Sequence, residues 1–157
     1  MSLPLFALLA IPIAFGGTNM QFSDGWLVSV SRSSLDDSAH VEAGLLSTDG
    51  NFELHLQCRK DRTVASLIPL AIPPGDGAVR VRHRVNKERP VSSLWHFSLL
   101  GWLDAADPVS FIRLLPDDGR LQVRLGERGY FLRATFELKN VSAIRAKIAN
   151  ACKWPTS

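Results

Sequence analysis

The chain has 157 residues, with 46% apolar and 21% charged side chains, nine Pro and eleven Gly. That length and balance fit one folded domain and exclude a disordered or fibrous chain. The net charge of +3 is modest but unevenly spread. Residues 1–58 hold one basic residue, Arg32, against six acids, whereas residues 59–157 hold 17 basic residues against nine acids. Thirteen of the 18 basic residues are Arg, whose planar fork suits carboxylates and phosphates.

Residues 1–17 carry no charge and run apolar from Leu3 to Phe15. The run falls short of the roughly 20 residues needed to span a bilayer. It matches a signal-peptide apolar region, and Ala14-Phe15-Gly16 places small residues where a signal peptidase reads. No Lys or Arg precedes it, and Pro4 and Pro12 interrupt it. Residues 1–16 are therefore expected to be a signal peptide, with a buried amino-terminal segment as the alternative, and 18–157 a single β-rich domain.

After a polar hinge at 18–25, Trp26, Val28 and Val30 alternate with polar or outward residues, which predicts a strand. A turn at 33–38 leads to Val41, Ala43 and Leu45. Ser47 to Asn51 is a second turn. Phe52, Leu54, Leu56 and Cys58 then line a core face, leaving Glu53, His55 and Gln57 on a solvated one. Arg59 to Arg62 connects to a strand at 63–70, and the proline-rich 72–77 is a loop. Val79, Val81, His83 and Val85 are expected inward, with Arg80, Arg82 and Arg84 outward. A partner strand follows at 91–98, then an irregular apolar stretch at 99–106. Asp107-Pro108 has the cap and first-turn proline of a helix, with Phe111, Ile112, Leu114 and Leu115 buried. Leu121, Val123 and Leu125 form a strand, 126–129 a hairpin and 130–138 the return. Asn140 is expected to cap a helix with a stripe of Val141, Ile144, Ile148 and Cys152. The fold class is α+β, mainly antiparallel β, sandwich-like with about eight strands and two helices.

The two cysteines have no CxxC spacing, which excludes a zinc site or a thioredoxin-type pair. An even count in an exported chain predicts a Cys58–Cys152 disulfide, closing a loop of about 95 residues and constraining the unfolded chain by roughly 4–5 kcal/mol. Two buried cytosolic thiols are the alternative.

No GxSxG, HExxH, P-loop or GxGxxG motif is present, so no catalytic residue, metal or cofactor is expected. His40 with Asp36 and Asp37 spells D-D-x-x-H, which a turn built by Asp side chains explains. His83 is expected to be a core histidine, and His55 and His96 solvated ones. Arg80, Arg82 and Arg84 lie about 6.5–7 Å apart along one strand face. With Arg124 and Arg133 they form a candidate patch for an acidic protein, phosphate or polysaccharide. Trp102, in the apolar loop, is a second candidate contact. The Arg face lacks the interleaved aromatics of a nucleic-acid surface.

The stretch W-L-V-S-V-S-R-S-S-L-D-D-S at 26–38, the L-H-L-Q-C run ending at Cys58, Asp107-Pro108, A-T-F-E-L at 134–138 and A-C-K-W at 151–154 together resemble the VasI-like family of type VI secretion-associated proteins. The resemblance covers about residues 25–154. It implies an exported β-rich domain with an accessory role and no established catalysis. The expected partner is a protein component of the cell envelope or secretion apparatus, with no nucleic acid and no membrane span in the mature chain. A standalone envelope inhibitor or immunity-type binder is the alternative, and a cytoplasmic enzyme or ligand binder a third.

Overall fold

The computed structural model describes residues 18–70, 76–126 and 132–155. The amino-terminal apolar run, residues 72–75 of the proline loop and 127–131 around the last hairpin lie outside them. The chain forms β1 (Asn19–Ser23), β2 (Trp26–Arg32), β3 (Ala39–Leu46), β4 (Phe52–Arg59), β5 (Arg62–Pro69), β6 (Ala78–Val85), β7 (Val91–Phe97) and β8 (Leu103–Ala105). There follow α1 (Pro108–Leu114), β9 (Gly119–Leu125), β10 (Leu132–Leu138) and α2 (Val141–Ala151). The strands join one sheet in the order β1-β2-β3-β4-β5-β8-β7-β6-β9-β10, antiparallel throughout.

The α+β, mainly antiparallel architecture is thus as the alternation implies, but the described residues form ten strands in one curled sheet rather than about eight in a sandwich of two. Both additional strands fall in stretches expected to be irregular. The supposed hinge at 18–25 is a β-hairpin. Asp24 and Gly25 take φ of 54° and 86°, so both central residues are left-handed and the turn matches the twist of its strands. Lys60 and Asp61, at 50° and 57°, turn β4 into β5 in the same way. Within 99–106, Leu103 and Asp104 pair with Leu67 and Ser66 to make the short β8.

The inward faces carry Trp26, Leu54, Leu56, Trp95, Leu121 and Phe136, all buried. Phe111 of α1 meets Trp95 edge-on, with ring centroids 5.1 Å apart. The sheet curls so that its last strand returns to its first third. The Thr48 N–H donates to the Thr135 carbonyl at 2.8 Å, and Trp26 Nε1 donates to the Lys139 carbonyl at 3.0 Å.

Helix α2 lies on the core side of β3 and β4. It buries Val141, Ile144 and Ile148, each stabilising the fold by about 1.5–3 kcal/mol through lost apolar exposure. Cys58 and Cys152 are bridged, with Cα atoms 5.6 Å apart. Just beyond, Trp154 Nε1 donates to Thr63 Oγ1 at 2.7 Å. Arg145 donates to the Ile112 and Leu115 carbonyls, which occupies groups that α1 leaves open at its end.

Two helix details correct the sequence reading. Asn140 does not cap α2 with its side chain. It sits in a left-handed conformation (φ 53°) and donates instead to Asp24 Oδ2. The cap comes from Asp117, whose carboxylate accepts from the Ser142 N–H at 2.7 Å and whose carbonyl accepts from the Val141 N–H. Leu114 is 60% exposed rather than buried, because Phe111, Ile112 and Leu115 share the inward face of α1 and Leu114 falls to one side of it. Asp107 does cap α1, accepting from the Ser110 N–H at 3.0 Å with Pro108 following.

Candidate functional site

Side chains that point away from the core divide the outer surface into two halves of opposite character. Across β6, β9 and β10 the surface is cationic. Arg80, Arg82 and Arg84 are all exposed on one face of β6. Arg82 is in register with Arg124 of β9, which is in register with Arg133 of β10. Three guanidinium-bearing residues therefore sit abreast on neighbouring strands, about 4.8 Å apart from strand to strand. Arg84 is steadied by Gln122, whose Oε1 accepts from its Nε and Nη2 at 3.2 and 2.6 Å. Arg120 pairs with Glu137 at 2.7 Å.

The other half, across β1 to β4, holds an apolar groove of about 800 Å³ with an acidic border. Met20 and Phe22 of β1, Leu27 of β2 and Leu46 of β3 supply its apolar lining. Asp24, Glu42 and Glu53 supply carboxylates, and Lys139 is the one Lys or Arg among the described residues that line it. On the groove floor Glu53 reaches over Gly44, and its Oε1 lies 3.0 Å from His55 Nδ1.

His55 is the histidine that sequence reading misplaced. It lies on the outer face of β4 but is only 8% exposed. Trp102 covers it, with ring centroids 5.2 Å apart, and its Nε2 has no partner. Trp102 itself is half-buried by this contact, so the exposed apolar side chains of its loop are Leu99 and Leu100. In the next strand Ser66 is in register with His55. The Ser66 hydroxyl donates to Asp104 at 2.6 Å rather than to the imidazole, so the serine is not paired with a base.

The remaining histidines are dispersed. His83 is inward and buried, edge-on to Phe111 at 5.3 Å, and burial holds its pKa below the ordinary value. His40 pairs with Glu42 at 3.0 Å, away from Asp36, whose Oδ1 accepts from the Ser38 N–H. His96 is exposed. Among the described residues no three His, Cys, Asp or Glu side chains come together to hold a metal ion. None of the described helices is long and apolar enough to cross a membrane. Set against known protein families, curated proteins and solved structures, the chain matches none.

Proposed function

We propose that the chain is a periplasmic or secreted, non-enzymatic accessory protein, akin to the VasI-like proteins associated with type VI secretion. It acts by presenting its cationic sheet face to an anionic surface of an envelope or secretion component. The observation that carries this reading is the in-register row Arg82–Arg124–Arg133, flanked along β6 by Arg80 and Arg84. Such a row focuses positive potential over one face and favours a carboxylate- or phosphate-bearing partner. The bridged Cys58–Cys152 pair supports an oxidising compartment, and the apolar run at 3–15 supports export.

Two measurements test it. The intact mass of the protein recovered from its native cells, with and without reduction and alkylation, reads export and the bridge together. Loss of the first 16 residues with a two-hydrogen deficit supports the reading, and a full-length chain with two free thiols overturns it. A photo-crosslinker at exposed Ser92, in register with Arg82, then reports what meets the face. An envelope or secretion component that is lost in Arg82→Glu/Arg133→Glu is the expected adduct. An adduct indifferent to the charge reversal sinks the cationic-face mechanism, and an enzyme target replaces the accessory role with that of an inhibitor.

A further inference from the structure

The β1 edge and the groove beside it make a second site, independent of export and of the arginine face. Among the described residues β1 pairs with β2 alone, and no strand lies on its other side. Its hairpin closes through the two-residue turn Asp24-Gly25, with Ser23 opposite Trp26. In such a hairpin the closing pair exchanges both hydrogen bonds, and the pairs alternate from there. Asn19, Gln21 and Ser23 therefore direct their backbone groups to β2, whereas Met20 and Phe22 direct theirs to the open side.

Exposed edges are ordinarily guarded by Lys, Pro or an inward charge. Asn19–Ser23 (NMQFS) contains none of these. Its two apolar side chains instead stand 65% (Met20) and 74% (Phe22) exposed, on the groove side with Leu27 and Leu46. The border of that groove is acidic through Asp24, Glu42 and Glu53.

We propose that this edge and groove form a strand-addition site for an extended segment of a partner protein in which apolar residues alternate with Lys or Arg. The incoming backbone bonds to the open N–H and C=O groups of Met20 and Phe22. Its apolar side chains cover those two residues, and its cations reach the acidic border. Main-chain pairing supplies affinity, and the alternation and charge supply selectivity. A second copy of this chain is a poorer occupant, because pairing β1 with β1 brings two acidic borders together.

The test is a selection of phage-displayed nonapeptides against the oxidised protein, repeated on Met20→Pro and on Glu42→Gln/Glu53→Gln. Proline at position 20 removes an open-side N–H and leaves the ladder to β2 intact. Enriched peptides should alternate Lys or Arg with Val, Leu or Phe. They should protect the Met20 and Phe22 amides from hydrogen exchange. Binding should weaken at least tenfold in Met20→Pro and severalfold in the double Gln variant, with an unchanged far-ultraviolet spectrum in both. Absence of enrichment, enrichment of acidic sequences, or equal binding to Met20→Pro overturns the proposal. A concentration-dependent dimer abolished by Met20→Pro also overturns it, by giving the edge to a second copy. None of these outcomes bears on the arginine face, so the two readings fail separately.

Discussion

Gly44 is the opening through which Glu53 reaches His55. A Cβ placed on Gly44 would lie 2.6 Å from Glu53 Oε1, the same oxygen that stands 3.0 Å from His55 Nδ1. Glycine inside a strand costs roughly 0.5–1 kcal/mol relative to alanine, so the contact is what makes it worth keeping. Gly44→Ala should displace the end of the Glu53 side chain and break its contact with His55 Nδ1, a loss of about 0.5–1.5 kcal/mol that cancels the gain. In a Glu53→Ala background the clash is gone, and the same substitution should stabilise by about 0.5–1 kcal/mol. Urea unfolding of the four-protein cycle reads this directly. Additive effects would mean that the two residues are uncoupled.

The Cys58–Cys152 bridge spans 94 residues of sequence and ties the end of α2 to β4. Replacing both cysteines with Ser should lower stability by about 2–5 kcal/mol, or about 5–15 °C in Tm for a domain of this size. The loss should also expose the end of α2. Amides from Ile148 to Trp154 are expected to exchange faster than those of β3 and β4. A Tm within 2 °C of the parent would show that Trp154, Thr63 and the apolar face of α2 hold the helix without the bridge.

How much of this was legible beforehand follows from what sequence periodicity encodes. Alternation reports which face of a strand a residue takes, and Phe52, Leu54, Leu56 and Cys58 were placed correctly by it. It does not report what covers that face. His55 is outward by period yet buried, because Trp102 comes over it from a distant loop. β1 escaped because nearly all its side chains are exposed and its residues carry no buried-face pattern. The signal present was Asp24-Gly25, a two-residue turn that precedes the alternation of β2. The arginine row required the sheet order as well as the strands. β6 and β9 are neighbours in space but are separated in sequence by β7, β8 and α1.

His83 gives the fold a pH dependence of known sign. It is buried between β7 and β9, its Nδ1 has no partner, and burial holds its pKa below 6.5. The folded state therefore resists a proton that the unfolded chain accepts. Its contribution is complete above about pH 6.5, the unfolded value, and is lost progressively as the pH falls below it. Urea midpoints at pH 7.5 and 5.5 should differ more for the parent than for His83→Leu. Parallel shifts in the two proteins would assign the dependence to another group.

Asp117 and Asn140 make a second pair of contrasting predictions. Asp117 supplies the carboxylate that meets the first turn of α2, although it lies 25 residues from Ser142. Asn140 precedes the helix but contributes no side-chain cap, and its left-handed φ favours glycine. Asp117→Ala should lower Tm and speed exchange in the first turn of α2. Asn140→Gly should leave Tm unchanged or raise it. The reverse ranking would restore Asn140 as the cap.

Acid should weaken the fold at a set of turn and cap carboxylates. The Ser38 hydrogen bonds first, and that of Ser33 next, bring Asp36 down to about 2. Asp49 is lowered by Ser47, Asp107 by Ser110 and Asp117 by Ser142. Each is a carboxylate whose charged form the fold favours. Its contribution is present above the unfolded value of about 3.8 and is lost as the pH falls toward the folded one. Urea midpoints should therefore hold between pH 6 and 5 as far as these carboxylates are concerned, then decline from about pH 4 toward 2. Asn at position 36 keeps an acceptor for the Ser38 N–H but does not titrate. Asp36→Asn should therefore begin less stable at pH 5 and decline less steeply below pH 4. If its profile runs parallel to that of the parent, the turn at 33–38 takes no part in the acid transition.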